Sequence, residues 1–185
     1  MRVIAGEARG RRLEALPGTD ITRPTLDQVK EAMFSIVQFD LPGARVLDLY
    51  AGSGQLGIEA LSRGAARAVF VDQAPKAIGV IKKNIAAARV EDRAEVLHMT
   101  YQRALQRLAG QQFDVLFLDP PYGGELLNSA LKAVESFDIL SPDGIIICES
   151  SVEDSVKCPE SFAVQKTYQY GTIFLTAMCR KEENS

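Results

Sequence analysis

The chain has 185 residues, of which 46% are hydrophobic and 24% charged, with a formal net charge of −3. That size buries one substantial core, and the composition excludes a disordered or low-complexity chain. No run nears the roughly 20 apolar residues of a membrane span, and the slight acidity gives no global sign of nucleic-acid binding, so any such role must come from local charge. Met1-Arg2-Val3-Ile4 opens directly on an alternating segment without a signal sequence. Cys148, Cys158 and Cys179 form neither a CxxC pair nor an even disulfide set, so reduced thiols in a cytoplasm are expected.

Residues 1–24 set five arginines (Arg2, Arg9, Arg11, Arg12, Arg23) against three acids (Glu7, Glu14, Asp20), a basic patch on an acidic body. Residues 2–5 and 11–13 flank Gly6 and Gly10 as a short hairpin. Pro17-Gly18 breaks the chain, and Thr25 is placed to cap a helix over residues 26–37, where Val29, Met33, Ile36 and Val37 recur at helical spacing. Pro42-Gly43 closes this appendage, dividing the chain into residues 1–42 and a domain of residues 43–185.

From residue 44 the rhythm becomes strand, turn, helix. Strands are predicted at 45–49, 68–71, 94–97, 115–118 and 144–148, with helices ending at residue 63 and spanning 75–88, 101–108 and 126–137. Such alternation predicts parallel strands joined by crossover helices, a doubly wound α/β sheet. Runs 162–168 and 172–178 around Tyr170-Gly171 have no helix between them and predict a terminal antiparallel hairpin, for seven strands in all.

Two segments carry chemistry. Between the first core strand and its helix, Gly52, Gly54 and Gly57 satisfy the G-x-G-x-x-G template, and Asp72 follows Gly52 by 20 residues, placed to bind two ribose hydroxyls. NAD and S-adenosylmethionine both fit that pattern. Asp48 precedes the glycines, where it would repel a pyrophosphate and would suit the amino group and sulfonium of S-adenosylmethionine. The fourth strand ends in Asp119-Pro120-Pro121-Tyr122. Two prolines remove two backbone donors and leave rigid acceptor carbonyls. With Asp119 they suit the hydrogens of an exocyclic base amine, while Tyr122 would stack on the base, a contact worth about 1–3 kcal/mol. Methyl transfer then needs in-line placement and no covalent nucleophile.

The assembled residues resemble the RsmD family of bacterial 16S ribosomal RNA guanine-N2 methyltransferases. The resemblance runs nearly the whole length. It includes Met1-Arg2-Val3-Ile4-Ala5-Gly6, Gly10-Arg11-Arg12-Leu13, Thr22-Arg23-Pro24-Thr25 and Asp27-Gln28-Val29-Lys30-Glu31-Ala32-Met33-Phe34. It continues through Val46-Leu47-Asp48-Leu49-Tyr50-Ala51-Gly52-Ser53-Gly54, Glu59-Ala60-Leu61-Ser62-Arg63-Gly64-Ala65 and Phe117-Leu118-Asp119-Pro120-Pro121-Tyr122. It implies a Rossmann-like class I methyltransferase fold with S-adenosylmethionine as donor, and Asp119, Pro120, Pro121 and Tyr122 holding the target guanine. It also implies a substrate presented by the small ribosomal subunit. The candidate cofactor contacts are Asp48, Tyr50, Ala51, Gly52, Ser53, Gly54, Asp72, Gln73 and Thr100. Asp72 stands where the family commonly has glutamate, and Thr100 where it often has an acid or amide to meet the adenine amine.

The arginines at 2, 9, 11, 12 and 23 are the candidate RNA contacts. His98 is the sole histidine, expected at a strand end, and no Cys/His spacing suggests a metal. A monomer is expected. Methyltransferases for adenine N6, cytosine N4 or a glutamine side chain share the proline-rich motif and stay open, as does a non-catalytic RNA-binding assembly factor.

Overall fold

Strand, turn and helix alternate as the spacing predicts. In chain order the elements are α1 (Arg23–Val37), β1 (Arg45–Asp48), α2 (Gln55–Ser62), β2 (Arg67–Asp72), α3 (Pro75–Ala88), β3 (Ala94–His98) and α4 (Tyr101–Arg107). They continue with β4 (Phe113–Leu118), α5 (Gly124–Ser136), β5 (Leu140–Ser151), β6 (Phe162–Tyr170) and β7 (Ile173–Arg180). This computed structural model describes residues 1–18, 23–121, 124–151 and 155–183, without the side chains of residues 23–26.

All seven strands join one sheet of order β3-β2-β1-β4-β5-β7-β6. The first five are parallel, and β7 runs antiparallel to both β5 and β6. A two-residue turn can link antiparallel strands only, which is why the helix-free end of the chain closes this way. Alternate strand residues feed two cores. Val46, Phe70, Val115 and Phe117 pack with Phe34 of α1, Ile58 of α2 and Ile81 of α3. Leu47, Val69, Leu116 and Ile146 pack with Leu105 of α4 and Leu131 of α5. Helices cover both faces, so the central strands are apolar on both sides.

Three departures from expectation have a clear physical reason. Helix α1 starts at Arg23 rather than 26, because Pro24 in a first turn lacks only an N–H that would be unpaired there, so Thr25 lies inside the helix and is not its cap. Strand β5 runs from Leu140 to Ser151, well beyond 144–148, since β7 pairs along its other edge as far as Ser151↔Ile173 and Leu140 pairs with Phe113 across a register break. The N-terminal hairpin is a single bridge, Arg2↔Arg12, with Val3 N–H to the Arg11 carbonyl at 3.0 Å and Leu13 N–H to Met1 at 2.8 Å, too few rungs for full strands. Its Val3, Ala8 and Leu13 are nevertheless buried in the core that holds α1, α2 and α3.

Candidate active site

Strand order reverses at β1 and β4, the position at which doubly wound sheets open a crevice above their carboxyl edge. Asp48, at the end of β1, is 1% exposed, and its Oδ2 accepts the Gly57 N–H at 3.1 Å. Burial pushes its carboxyl up to about 7, with the Gly57 bond opposing and the charge of Asp72 adding to the rise. The loop above turns through Gly52 and Gly54 at φ 58° and 82°. Ala51 donates to the Val71 carbonyl at 2.9 Å, tying the loop to β2. Gly57 has a different purpose: a Cβ there would lie 2.3 Å from Phe70 Cε1, so the third glycine brings α2 onto the sheet.

Asp72, expected to bind two ribose hydroxyls, also shapes the glycine loop. Its Oδ2 accepts the Gly52 N–H and its Oδ1 the Ala74 N–H, both at 2.9 Å. Beside it, His98 is exposed, and its Nε2 lies 3.1 Å from the Gln73 carbonyl oxygen, linking the loops after β2 and β3. Thr100 caps α4, its Oγ1 accepting the Arg103 N–H at 3.4 Å. Ser53 turns away from this group: its Oγ lies 4.0 Å from Met1 Sδ, and its carbonyl accepts from Asn84 Nδ2 at 2.8 Å. Tyr50 packs its ring 5.8 Å from that of Tyr101. Its hydroxyl is buried without a hydrogen-bond partner among the described residues, and burial holds its pKa above the ordinary value.

A residue outside the sequence expectations joins the site through strand register. Leu118 of β4 stands opposite Cys148 of β5 in parallel pairing, so Asp119, just past the end of β4, lies beside Glu149, which is still in β5. Their carboxyls are close enough to act electrostatically on one another. Asp119 is exposed just past the end of β4. Desolvation, then the charges of Glu149 and Asp48, hold its carboxyl well above the usual carboxylate range. Burial raises Glu149 as well, with Asp119 opposing. Pro120 is half-buried and Pro121 exposed, whereas Tyr122 lies outside the described residues. Among the described residues no group of three or more His, Cys, Asp or Glu is placed to hold a metal ion.

The N-terminal arm is fastened by polar side chains that sequence reasoning also passed over. Helix α2 is almost wholly buried, and its one acid, Glu59, is 0% exposed. Glu59 accepts the Ile4 and Ala5 N–H groups at 2.9 Å each, pairs with Lys30 of α1 at 3.1 Å and with Arg63 at 3.0 Å. Asn84 of α3 accepts the Glu14 N–H at 2.7 Å and donates to the carbonyls of Glu14 and Ser53. A single polar residue on an otherwise apolar helix face was the available signal. The arm thus lies lengthwise over α2 and α3. Its tip meets Ser62, where Glu7 N–H bonds the carbonyl at 2.9 Å, and its open end reaches Ser53 through Met1. Helices run back from the carboxyl edge, so the tip points away from Asp119.

This placement separates the arginines. Arg2, Arg9 and Arg12 are exposed, with guanidiniums unpaired among the described residues. Arg11 instead donates to the Ala87 carbonyl at 3.2 Å, in the last turn of α3. The side chain of Arg23 lies outside the described residues.

Known proteins resemble this chain along its length. Residues 1–179 match the family described as Conserved hypothetical protein 95. The chain is 43% identical to YlbH of Bacillus subtilis (strain 168) over 163 residues, 87% of each chain. It is 33% identical to ribosomal RNA small subunit methyltransferase D of Haemophilus influenzae over 175 residues, 94% of this chain and 90% of that one. The solved structure of Escherichia coli yhhF, 28% identical, superposes with a TM-score of 0.87 over 99% of both chains. Sheet order and these likenesses together make the fold that of a Rossmann-like class I methyltransferase, and the chain belongs to the RsmD family.

Proposed function

We propose that the protein transfers a methyl group from S-adenosylmethionine to the exocyclic N2 amine of a guanine in 16S rRNA, within the small ribosomal subunit or an assembly intermediate. One observation carries the reading: Asp48, Asp119 and Glu149 gather acid beneath a glycine loop. Such a floor repels the pyrophosphate of a dinucleotide and attracts a sulfonium and an ammonium.

The residues present fit that cofactor. Each Asp72 oxygen accepts one backbone N–H and keeps a lone pair for a ribose hydroxyl. Asp48 offers negative charge, Thr100 keeps a lone pair for the adenine amine, and the orphaned Tyr50 hydroxyl awaits an acceptor. When bound, the cofactor supplies an electrophilic methyl group. On the substrate side, Asp119 and the Pro120 carbonyl accept the amine's hydrogens, returning lone-pair density to nitrogen, and Tyr122 stacks on the base. Residues 1–42 serve as the RNA-holding appendage of domain 43–185, with Arg2, Arg9 and Arg12 on phosphates. A cytoplasmic monomer suits this work.

The test is methyl transfer from labelled S-adenosylmethionine onto small subunits from a strain lacking the protein, followed by nucleoside analysis. N2-methylguanosine is expected. Recovery of N6-methyladenosine, or of no methylated nucleoside, overturns the proposal.

A further inference from the structure

Glu149 follows the buried run 144–148 of β5 and, by strand register, lies beside the candidate catalytic acid. Parallel strands lie about 4.8 Å apart, so two carboxyls at neighbouring register positions, as those of Asp119 and Glu149 are, cannot both ionise without cost. A third negative group, Asp48 of β1, acts on Asp119, and Asp72 of β2 acts on Asp48. On the other side of β5, Leu175 of β7 stands opposite Glu149 and does not titrate. Among the described residues no basic side chain is among the groups that act on Asp119.

We propose that Glu149 is the positioning residue for Asp119: the two carboxyls hold one proton between them, and the pair takes up the proton that the substrate's amine must lose. This deepens the methyl-transfer reading above and rests on it. As the amine nitrogen's lone pair forms the new N–CH3 bond, the electron pair of the broken S–CH3 bond stays on sulfur. The nitrogen is left with a positive charge and one proton in excess. That proton passes to Asp119, and the pair goes from one shared proton and a single negative charge to two protons and neutrality. Glu149, partly exposed, returns a proton to solvent. A lone aspartate at ordinary acidity would be a weaker base, and its carboxyl would be free to rotate from the amine. Glu149 corrects both.

The test compares the wild-type protein with Glu149→Gln, which keeps the side chain's size. Carboxyl-carbon NMR of the cofactor-free wild type should show Asp119 titrating in two coupled steps. In Glu149→Gln these should collapse to a single step at lower pH. In the transfer assay on small subunits, kcat should fall tenfold or more, roughly the low end of general acid–base effects, with Kd and KM for S-adenosylmethionine within about twofold. A single ordinary step for Asp119 in the wild type overturns the proposal even if the variant does not fold, and so does an unchanged kcat in a folded Glu149→Gln. Absence of transfer by the wild-type protein sinks the methyl-transfer reading instead, and the titration still decides whether the pair exists.

Discussion

Asp48 is where burial and function pull against each other. Its carboxyl titrates near 3.8 when unfolded and at about 7 when folded, so the native state holds the proton between those values. Stability from this group is present below the unfolded value and is lost as pH rises from about 4 to about 7. Asp48→Asn should flatten the melting temperature of the cofactor-free protein across that window and raise it on the alkaline side, while weakening S-adenosylmethionine about tenfold or more, as loss of a charged partner does. Calorimetry at several pH values, with titration of the cofactor, checks both. A steeper pH dependence in the variant would contradict the assignment. Tyr50 makes a second case. A buried hydroxyl without a partner costs about 1–3 kcal/mol, so Tyr50→Phe should raise the stability of the cofactor-free protein, by about 1 kcal/mol in denaturant unfolding. A loss of stability would mean that the hydroxyl is satisfied without ligand.

Among the elements, α2 does two jobs at opposite ends. Its N-terminus follows the glycine loop, and its C-terminal half holds the arm through Glu59 and Ser62. Glu59 takes four donors at once, two of them backbone N–H groups of the arm. Burial lowers the pKa of Lys30, and Glu59 opposes this, so the cation depends on its partner. Removing one side of a buried pair costs about 3–5 kcal/mol, because the other charge is left stranded. Glu59→Ala should therefore destabilise the fold by that order and speed protease cleavage within residues 1–18. Adding Lys30→Met should recover part of the stability and none of the arm's protection, since the Ile4 and Ala5 donors still lack their acceptor. Equal protection in the single variant and the wild type would show that the arm is held elsewhere.

Across the whole molecule, the exposed arginines sit on an arm whose tip lies away from the catalytic edge, a layout suited to a substrate much larger than the target base. Each phosphate contact contributes about 0.7–0.9 to the slope of log affinity against log salt. Replacing Arg2, Arg9 and Arg12 with alanine should flatten that slope for small-subunit RNA by up to about 2.5 and leave cofactor affinity unchanged. Arg11→Ala should act differently, lowering the melting temperature by releasing the Ala87 carbonyl and barely changing the slope. Filter binding at graded salt separates the two, and an unchanged slope in the triple variant would refute phosphate contact by the arm.

Local chemistry made much of this legible in advance. A glycine turn between strand and helix, an acid 20 residues beyond Gly52 and paired prolines at a strand end are written in consecutive residues, and the parallel α/β plan follows from their alternation. Seven strands and the terminal hairpin could be read because each is a short, contiguous run. Only the tertiary structure set Glu149 beside Asp119, turned Ser53 toward the arm, tied Arg11 to α3 and buried Glu59 among four donors. Those facts depend on strand register and on how the arm docks, contacts between residues tens of positions apart. One chain carries no trace of which distant backbone groups an acid will meet, because that is decided by packing all the helices against one sheet.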